Sequence, residues 1–178
     1  MKTLLNVLLV MVFIGCGTSQ KIIEPTADSQ RLDTMVTAQD FKIEMEWAEP
    51  LMTNSMMQIA NSGLLAPGNS ASRINLLGNG NYLSMKGDSV QANLPYFGER
   101  QMGGGYGDNA GIKFNGVAKN LEIQKIEQKQ AYQIDFSISE GSETYTVRMN
   151  LLANLKARIR VLSTQRRSIG YEGTVKSL

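Results

Sequence analysis

Apolar and polar side chains alternate along most of the second half of the sequence, and this alternation constrains the fold more than any other feature. It runs from Tyr132 to Ile138, resumes from Tyr145 to Leu151 after the turn-forming Glu140-Gly141-Ser142, and continues from Ala157 to Val161. A period of two residues is typical of a β-strand with one buried and one solvated face. Because the segment from Phe41 to Trp47 shows the same pattern, we expect the first strand to begin there.

Short turns separate these segments. Gly87-Asp88 lies between Tyr82–Lys86 and Ser89–Asn93, and a two-residue Gly-containing connection indicates a tight hairpin. Gly78-Asn79-Gly80-Asn81 precedes it, so we expect Arg73–Leu77 to pair with Tyr82–Lys86 and to give three adjacent antiparallel strands. The whole pattern predicts a mainly β fold, a single antiparallel meander that curls or closes to hide its edges. The side chains that we expect to point inward are Trp47, Phe136, Val147 and Ile159.

The residues around the first strand follow other patterns. Leu32, Met35 and Val36 share one face of a predicted helix from Asp28 to Gln39, with Asp28 as its N-cap. This is the one short N-terminal helix that we expect. Leu51–Ser72 is rich in Met, Asn and Gly, and we interpret it as a long irregular connection with at most a short strand.

The N-terminus has the layout of a lipoprotein signal. Lys2 precedes an apolar run that ends at Ile14, and Gly15-Cys16 follows, as in a lipobox whose Cys becomes the acylated N-terminus. The run is too short to cross a bilayer, which takes about 20 apolar residues. We therefore predict a signal peptide at 1–15, a lipid-anchored tether at 16–27 and a β-barrel domain at 28–178. The alternative is an apolar N-terminal strand with a buried Cys16.

Composition argues against several classes of function. The sequence contains no His, which removes the residue most used as a general base and metal ligand near neutral pH. Cys16 is the only cysteine, so neither an intrachain disulfide nor a thiolate metal cluster can form. Eighteen basic and 16 acidic residues give a net charge of +2, too balanced for a broad nucleic-acid surface. We expect no catalytic residues, no metal, no cofactor and no nucleic-acid partner.

Gly103-Gly104-Gly105 raises the question of a phosphate-binding loop. Such a loop requires a helix N-terminus after the glycines, and the P-loop form also requires a Lys-Ser/Thr pair. The sequence instead runs into an alternating strand from Ile112. We interpret Met102–Gly111, in which five of ten residues are Gly, as a flexible flap between two strands.

Four residues in or near this flap form the candidate site, namely Tyr96, Phe97, Arg100 and Tyr106. In one interpretation Tyr96 and Phe97 plug one end of the barrel, Pro95 ends the strand and Gly98 adopts a positive φ. In the other, the four side chains line the mouth of a pocket, where an aromatic wall with one cation suits an amphipathic ligand. We expect the pair Arg166-Arg167 to be part of a solvated face.

Three segments carry a resemblance to a known family: YLSMKGDSVQANLPYFG at 82–98, GIKF at 111–114 and RRSIGYEGTV at 166–175. Together they resemble the domain-of-unknown-function family DUF4251, over a region from about Phe41 to the end. Members of that family are secreted bacterial proteins, many of them with lipoprotein signals. The resemblance implies a small lipocalin-like β-barrel and brings no known activity and no catalytic residues.

Two hypotheses of function follow. The first is a non-catalytic binding or carrier module for a small apolar or amphipathic ligand, which would need an interior cavity of several hundred Å³. The alternative is an envelope scaffold or assembly subunit, with a filled interior and an apolar outer patch. In both, acylated Cys16 binds the lipid bilayer, and we expect the protein in the bacterial cell envelope, anchored to the outer membrane and facing the periplasm.

Overall fold

Ten strands form one antiparallel sheet in the computed structural model, which describes residues 23–102 and 111–178. Two α-helices and a 3-10 turn at Glu127–Lys129 accompany them. The elements in chain order are α1 (Ala27–Ala38), β1 (Asp40–Pro50), α2 (Asn54–Asn61), β2 (Ile74–Asn75), β3 (Tyr82–Lys86), β4 (Ser89–Leu94), β5 (Ile112–Val117), β6 (Lys119–Ile126), β7 (Ala131–Glu140), β8 (Glu143–Leu151), β9 (Lys156–Ser163) and β10 (Ile169–Lys176).

The sheet curls into a nearly closed barrel, which confirms the predicted fold class. Its strand order is β5-β4-β3-β1-β10-β9-β8-β7-β6, so the two outermost strands, β5 and β6, are consecutive in the chain with only Ala118 between them. Both run in the same direction, and together they resemble one long bent strand. Its first half pairs with β4 and its second half with β7. This shared strand brings the two ends of the sheet together.

The barrel has two ends with different contents. At the lower end, where β1 begins, lie α1 and the tight Gly87-Asp88 hairpin turn predicted between β3 and β4. The described chain also starts there, because the Ile23 amide donates a hydrogen bond to the Gln128 carbonyl, 3.0 Å away. At the upper end, where β1 ends at Pro50, lie α2, the connection from β4 to β5 and the connection from β9 to β10.

The barrel interior is occupied by side chains. The inward side chains of the strands form one continuous cluster, which α1 extends with Leu32 and Val36 and α2 with Met56. Three of the predicted inward residues are confirmed, since Phe136, Val147 and Ile159 are all buried in it.

The prediction for Trp47 was wrong. The register of β1 against β10 shifts between Met45 and Trp47, and burial of alternate residues resumes at Ala48. A β-bulge of this kind moves every later side chain to the other face of the strand. Trp47 is therefore half-buried, and its ring lies 4.5 Å from the Arg73 guanidinium.

Both helices depart from the predictions. Thr26, rather than Asp28, caps α1, because its hydroxyl accepts from the Ser29 amide in a reciprocal capping box. The irregular connection predicted after β1 contains α2, whose N-cap Thr53 accepts a hydrogen bond from the Met56 amide through its side chain. Within the described ranges, no helix is both long and apolar enough to span a membrane.

The predicted pairing of Arg73–Leu77 with Tyr82–Lys86 was also wrong. Only Ile74–Asn75 forms a strand, and it pairs with β1 at Trp47 and Ala48. β3 pairs with the earlier residues of β1, from Asp40 to Glu44. The Gly-Asn-Gly-Asn cluster thus joins two segments that follow one another along the same side of β1, rather than two halves of a hairpin.

Candidate functional site

Tyr96 and Phe97 lie at the upper end of the barrel, directly after β4. Both rings are half-buried and pack against the core cluster. Pro95, which precedes them, is fixed to the barrel because its carbonyl accepts a hydrogen bond of 2.7 Å from the hydroxyl of the buried Tyr171 on β10. Burial raises the pKa of Tyr171, so this hydroxyl stays protonated and able to donate at neutral pH.

The Tyr96 side chain folds back over its own segment. Its hydroxyl can donate a hydrogen bond to the Glu99 carbonyl oxygen, 2.9 Å away, or to the Arg167 carbonyl oxygen, 3.1 Å away. A Cβ at Gly98 would lie 2.7 Å from this hydroxyl oxygen. Gly98 does not adopt the positive φ that was expected. What it provides is space for the Tyr96 ring.

Arg166 is buried beneath this segment, although the sequence had predicted a solvated side chain. Only 3% of it is exposed, and its guanidinium lies 5.2 Å from the centre of the Tyr96 ring. Its Nε and Nη2 donate to the two carboxylate oxygens of Glu143 at 2.9 and 3.1 Å. A bidentate geometry of this kind is the strongest form of Arg-carboxylate pair. The neighbouring Arg167 is exposed as expected, and it pairs with Glu99 at 3.1 Å.

Glu143 is the centre of a small buried network. Burial raises the pKa of its carboxyl, but hydrogen bonds from the Ser163 hydroxyl and from Arg166 outweigh burial and hold the pKa below its ordinary value. Burial and the hydrogen bond to Glu143 raise the pKa of Tyr145. At neutral pH the network therefore contains a carboxylate, a guanidinium and a neutral phenol, with opposite charges in contact.

The same arginine joins the two segments that lead into and out of 103–110. The Arg166 Nη1 donates to the Gly111 carbonyl at 2.9 Å. On the other side, the Gln101 amide donates to the Gln165 carbonyl at 2.7 Å, and a β-bridge pairs Arg100 with Arg166. The connection from β9 to β10 thus binds the residues on both sides of 103–110, namely Arg100 and Gln101 before it and Gly111 after it.

Two predicted site residues remain, Arg100 and Tyr106. Arg100 is exposed at the rim of the upper end. Tyr106 lies outside the described residues, as do most of the predicted flap and the predicted signal peptide with Cys16. The structure therefore brings Tyr96 and Phe97 together with Arg166 and Glu143, which were not among the candidates.

One of these two residues could have been found from the sequence. Glu143 lies on the same face of β8 as Tyr145, Val147 and Met149, because all four are at alternate positions, and those three side chains point inward. A carboxylate at an inward position requires a buried partner. Arg166 lies in the connection between β9 and β10. That segment has no alternation of apolar and polar residues, so nothing in the sequence indicates that Arg166 is buried.

Every buried side-chain nitrogen and oxygen among the described residues has a hydrogen-bond partner. No group of three or more acidic, His or Cys side chains in the described ranges could hold a metal ion. The arrangement is suited to fixing loops in place.

Grooves are present on the outer surface of the barrel. One of about 490 Å³ lies along β1 and β10, and its polar lining includes Lys42, Glu44 and Lys176. These charges are paired, since Glu44 contacts Lys42 at 3.3 Å and Lys176 at 2.5 Å. A second groove, of about 280 Å³, contains the Trp47 and Arg73 pair.

Comparisons with known proteins agree with this fold. No curated protein matches the chain. A crystal structure of a DUF4251 family protein from Bacteroides eggerthii DSM 20697 superimposes with a TM-score of 0.57 over 84% of this chain and 87% of that one, at 10% sequence identity. Such a low identity supports similarity of fold alone. The family model for DUF4251, a domain of unknown function, matches residues 24–175, and the chain therefore belongs to this family.

Proposed function

We propose that this protein is a non-catalytic, lipid-anchored assembly or scaffold subunit of the bacterial cell envelope. The observation that carries the proposal is the single continuous cluster of side chains inside the barrel. A carrier of apolar ligands needs an enclosed space of about 300–1,000 Å³ lined by apolar groups. Here the space is taken by large fully buried side chains that include Phe41, Phe136 and Met149.

The grooves give the carrier hypothesis little support. The two along β1 lie on the outer face of the barrel, and their linings include members of the ion pairs Lys156–Glu46 and Arg158–Glu172. An apolar ligand in these grooves would desolvate the paired charges without replacing their partners, which is unfavourable. The fold is better suited to holding its loops rigidly for contact with another molecule.

The position of the N-terminus supports a lipid anchor with a defined orientation. Ile23, the first described residue, lies at the lower end of the barrel, beside Gln128. In our proposal Cys16 is acylated and this end faces the outer membrane, while the upper end faces the periplasm. Two or more acyl chains hold a protein stably at a bilayer.

Mass spectrometry can test both parts of the proposal. We expect the mature N-terminal peptide to begin with an acylated Cys16, and the Cys16→Ser variant to be released as a soluble domain. Native mass spectrometry of that soluble domain, taken from the periplasm, should give the mass of the protein alone. A stoichiometric small-molecule adduct would instead establish the carrier function, and an unmodified peptide starting elsewhere would exclude the anchor.

A further inference from the structure

Asparagine is followed by glycine at two places in the sequence, Asn79-Gly80 and Asn115-Gly116. Such a dipeptide can react with itself, because the backbone nitrogen of the glycine can attack the side-chain carbonyl carbon of the asparagine. The glycine favours this attack, since it has no Cβ to shield its amide and its backbone adopts conformations that other residues rarely reach. The structure places the two dipeptides in different surroundings, so we expect them to differ in reactivity.

The first dipeptide lies at the tip of an exposed turn. Gly78, Asn79 and Gly80 belong to the connection from β2 to β3, and all three residues are exposed. The two glycines have φ values of 83° and 65°, and a Cβ added at either would meet no atom within 4 Å. The tip therefore has the space in which the Asn79 side chain can approach the Gly80 nitrogen.

Hydrogen bonds hold the base of this turn and leave the reacting groups at its tip available. The Leu76 amide donates to a carbonyl of β1 at 2.8 Å, and the Asn81 carbonyl accepts from an amide of β1 at 2.9 Å. At the tip, the Asn79 backbone amide donates to the Leu76 carbonyl at 3.2 Å. Within the described part of the chain, neither the Asn79 side chain nor the Gly80 amide has a hydrogen-bond partner. The attacked carbon and the attacking nitrogen are thus both unprotected.

The second dipeptide is held inside the sheet. Asn115 and Gly116 belong to β5, where they pair with Gln91 and Val90 of β4. A paired strand keeps its backbone extended, so the attack requires that the pairing first open locally, which costs free energy. Asn115 is exposed, as Asn79 is. A comparison of the two asparagines therefore separates the effect of backbone freedom from the effect of exposure to water.

We propose that Asn79 is a modification site, at which the side chain loses ammonia through a succinimide formed with Gly80. The Gly80 nitrogen gives up its proton and forms a bond to the Asn79 Cγ, and the side-chain nitrogen takes up a proton and leaves as ammonia. Water then opens the ring. Cleavage of the bond from the ring nitrogen to Cγ gives aspartate, and cleavage of its bond to the backbone carbonyl carbon gives isoaspartate. The balance is one water consumed and one ammonia released, so water is the only other reactant.

The modification adds a negative charge at the rim of the groove along β1 and β10. Gly78 and Gly80 line this groove, and its charged lining side chains are two lysines and two glutamates, whose charges sum to zero. A carboxylate at position 79 gives this part of the surface a net negative charge, which favours cationic partners over anionic ones. The inference goes beyond the proposed function and does not rest on it, because neither the anchor nor the filled interior enters the argument.

Peptide mapping by mass spectrometry tests this inference with the full-length protein, purified in detergent and incubated in mildly alkaline buffer. Asn79 should be converted about tenfold faster than Asn115 or more, since a tenfold difference in rate needs only about 1.4 kcal/mol of barrier. The product at position 79 should be a mixture of aspartate and isoaspartate that takes up oxygen from isotopically labelled water. In urea the two rates should become similar, because both dipeptides then lie in unfolded chain.

Asn79→Gln is the matched variant. It keeps an uncharged amide at the exposed tip, but its longer side chain must close a larger ring, so position 79 should stay unmodified while Asn115 reacts as in the parent protein. Equal rates at the two asparagines of the folded protein would overturn the inference, and so would the absence of product at position 79. A product that contains aspartate without isoaspartate would exclude the succinimide.

Discussion

Arg166 and Glu143 show how a few polar residues fix the upper end of the barrel. Their ion pair is almost completely removed from water, with 2% and 8% of the side chains exposed. Taking two charges out of water costs several kcal/mol per ion, and the cost is recovered only when geometry is good and the remaining polar atoms are bonded. Ser163 and the Gly111 carbonyl provide those further bonds.

Removing one member of this pair should destabilise the domain strongly. We expect Arg166→Met to lower the free energy of unfolding by about 3–5 kcal/mol, because Glu143 would remain buried without its partner. Arg167→Met is the matched control, since Arg167 pairs with Glu99 at the exposed surface and should cost no more than about 1 kcal/mol. Urea unfolding followed by circular dichroism measures both. Equal losses in the two variants would contradict the assigned role of Arg166.

At the scale of single elements, the bulge in β1 depends on a glycine in β10. Gly173 lies opposite Met45, where the register of the two strands shifts. A Cβ at Gly173 would lie 2.2 Å from the backbone carbonyl oxygen of Glu44, so the strands could not keep their present separation. The absence of a side chain at this position is therefore a condition for the bulge.

Gly173→Ala should separate these strands locally and reduce stability by about 1–3 kcal/mol or more. Gly116→Ala on β5 is the control, because its added methyl would meet the Ile138 side chain at an ordinary contact distance of 3.7 Å. Thermal unfolding of the two variants gives the comparison. If both unfold at the same temperature as the parent protein, the close approach at Gly173 has no energetic weight.

The elements differ in how much of them the sequence could predict. Strands such as β7 and β8 were predictable because apolar and polar residues alternate without interruption along each of them, and the apolar positions are the buried ones. Trp47 was placed wrongly because the bulge adds Glu46 to β1, while the apolar–polar alternation of the sequence continues unbroken through Trp47 and so does not show the change of face. α2 was missed because its eight residues are too few for the pattern to distinguish a helix from an irregular connection. The burial of Arg166 depends on a partner 23 residues away.

At the scale of the whole molecule, the barrel is joined by its first and last strands. β1 pairs with β3 on one side and with β10 on the other, so it connects the β3–β5 and β6–β10 meanders. β1 and β10 are separated by most of the chain, since Ile43 pairs with Val175, and contacts of this range make folding slow. Closure of the barrel thus requires the complete domain through Lys176.

Stability of the whole domain should be constant near neutral pH and fall on both sides. Four carboxyls in the described part of the chain have lowered pKa values. The pKa of Glu143 is explained above, that of Glu44 is lowered by hydrogen bonds from Lys176 and Lys42, that of Glu46 chiefly by Thr174, and that of Glu99 chiefly by Ser55. A lowered pKa means that the folded state binds fewer protons than the unfolded one. The stability these groups contribute is therefore complete above the unfolded pKa of about 4.3 and is lost as the pH falls through the folded values.

The opposite sign holds on the alkaline side. The hydrogen bond to Asp33 raises the pKa of Lys125, and burial raises the pKa values of Tyr145 and Tyr171. Stability should therefore fall above a pH of about 10, where these groups lose their protons in the unfolded chain first. The sequence has no His, and the shifts described above move the pKa values of these carboxyls, of Lys125 and of the two tyrosines away from neutral pH. Urea unfolding from pH 3 to 11 should give a plateau between about 5 and 9, and a transition inside that range would contradict this assignment of charges.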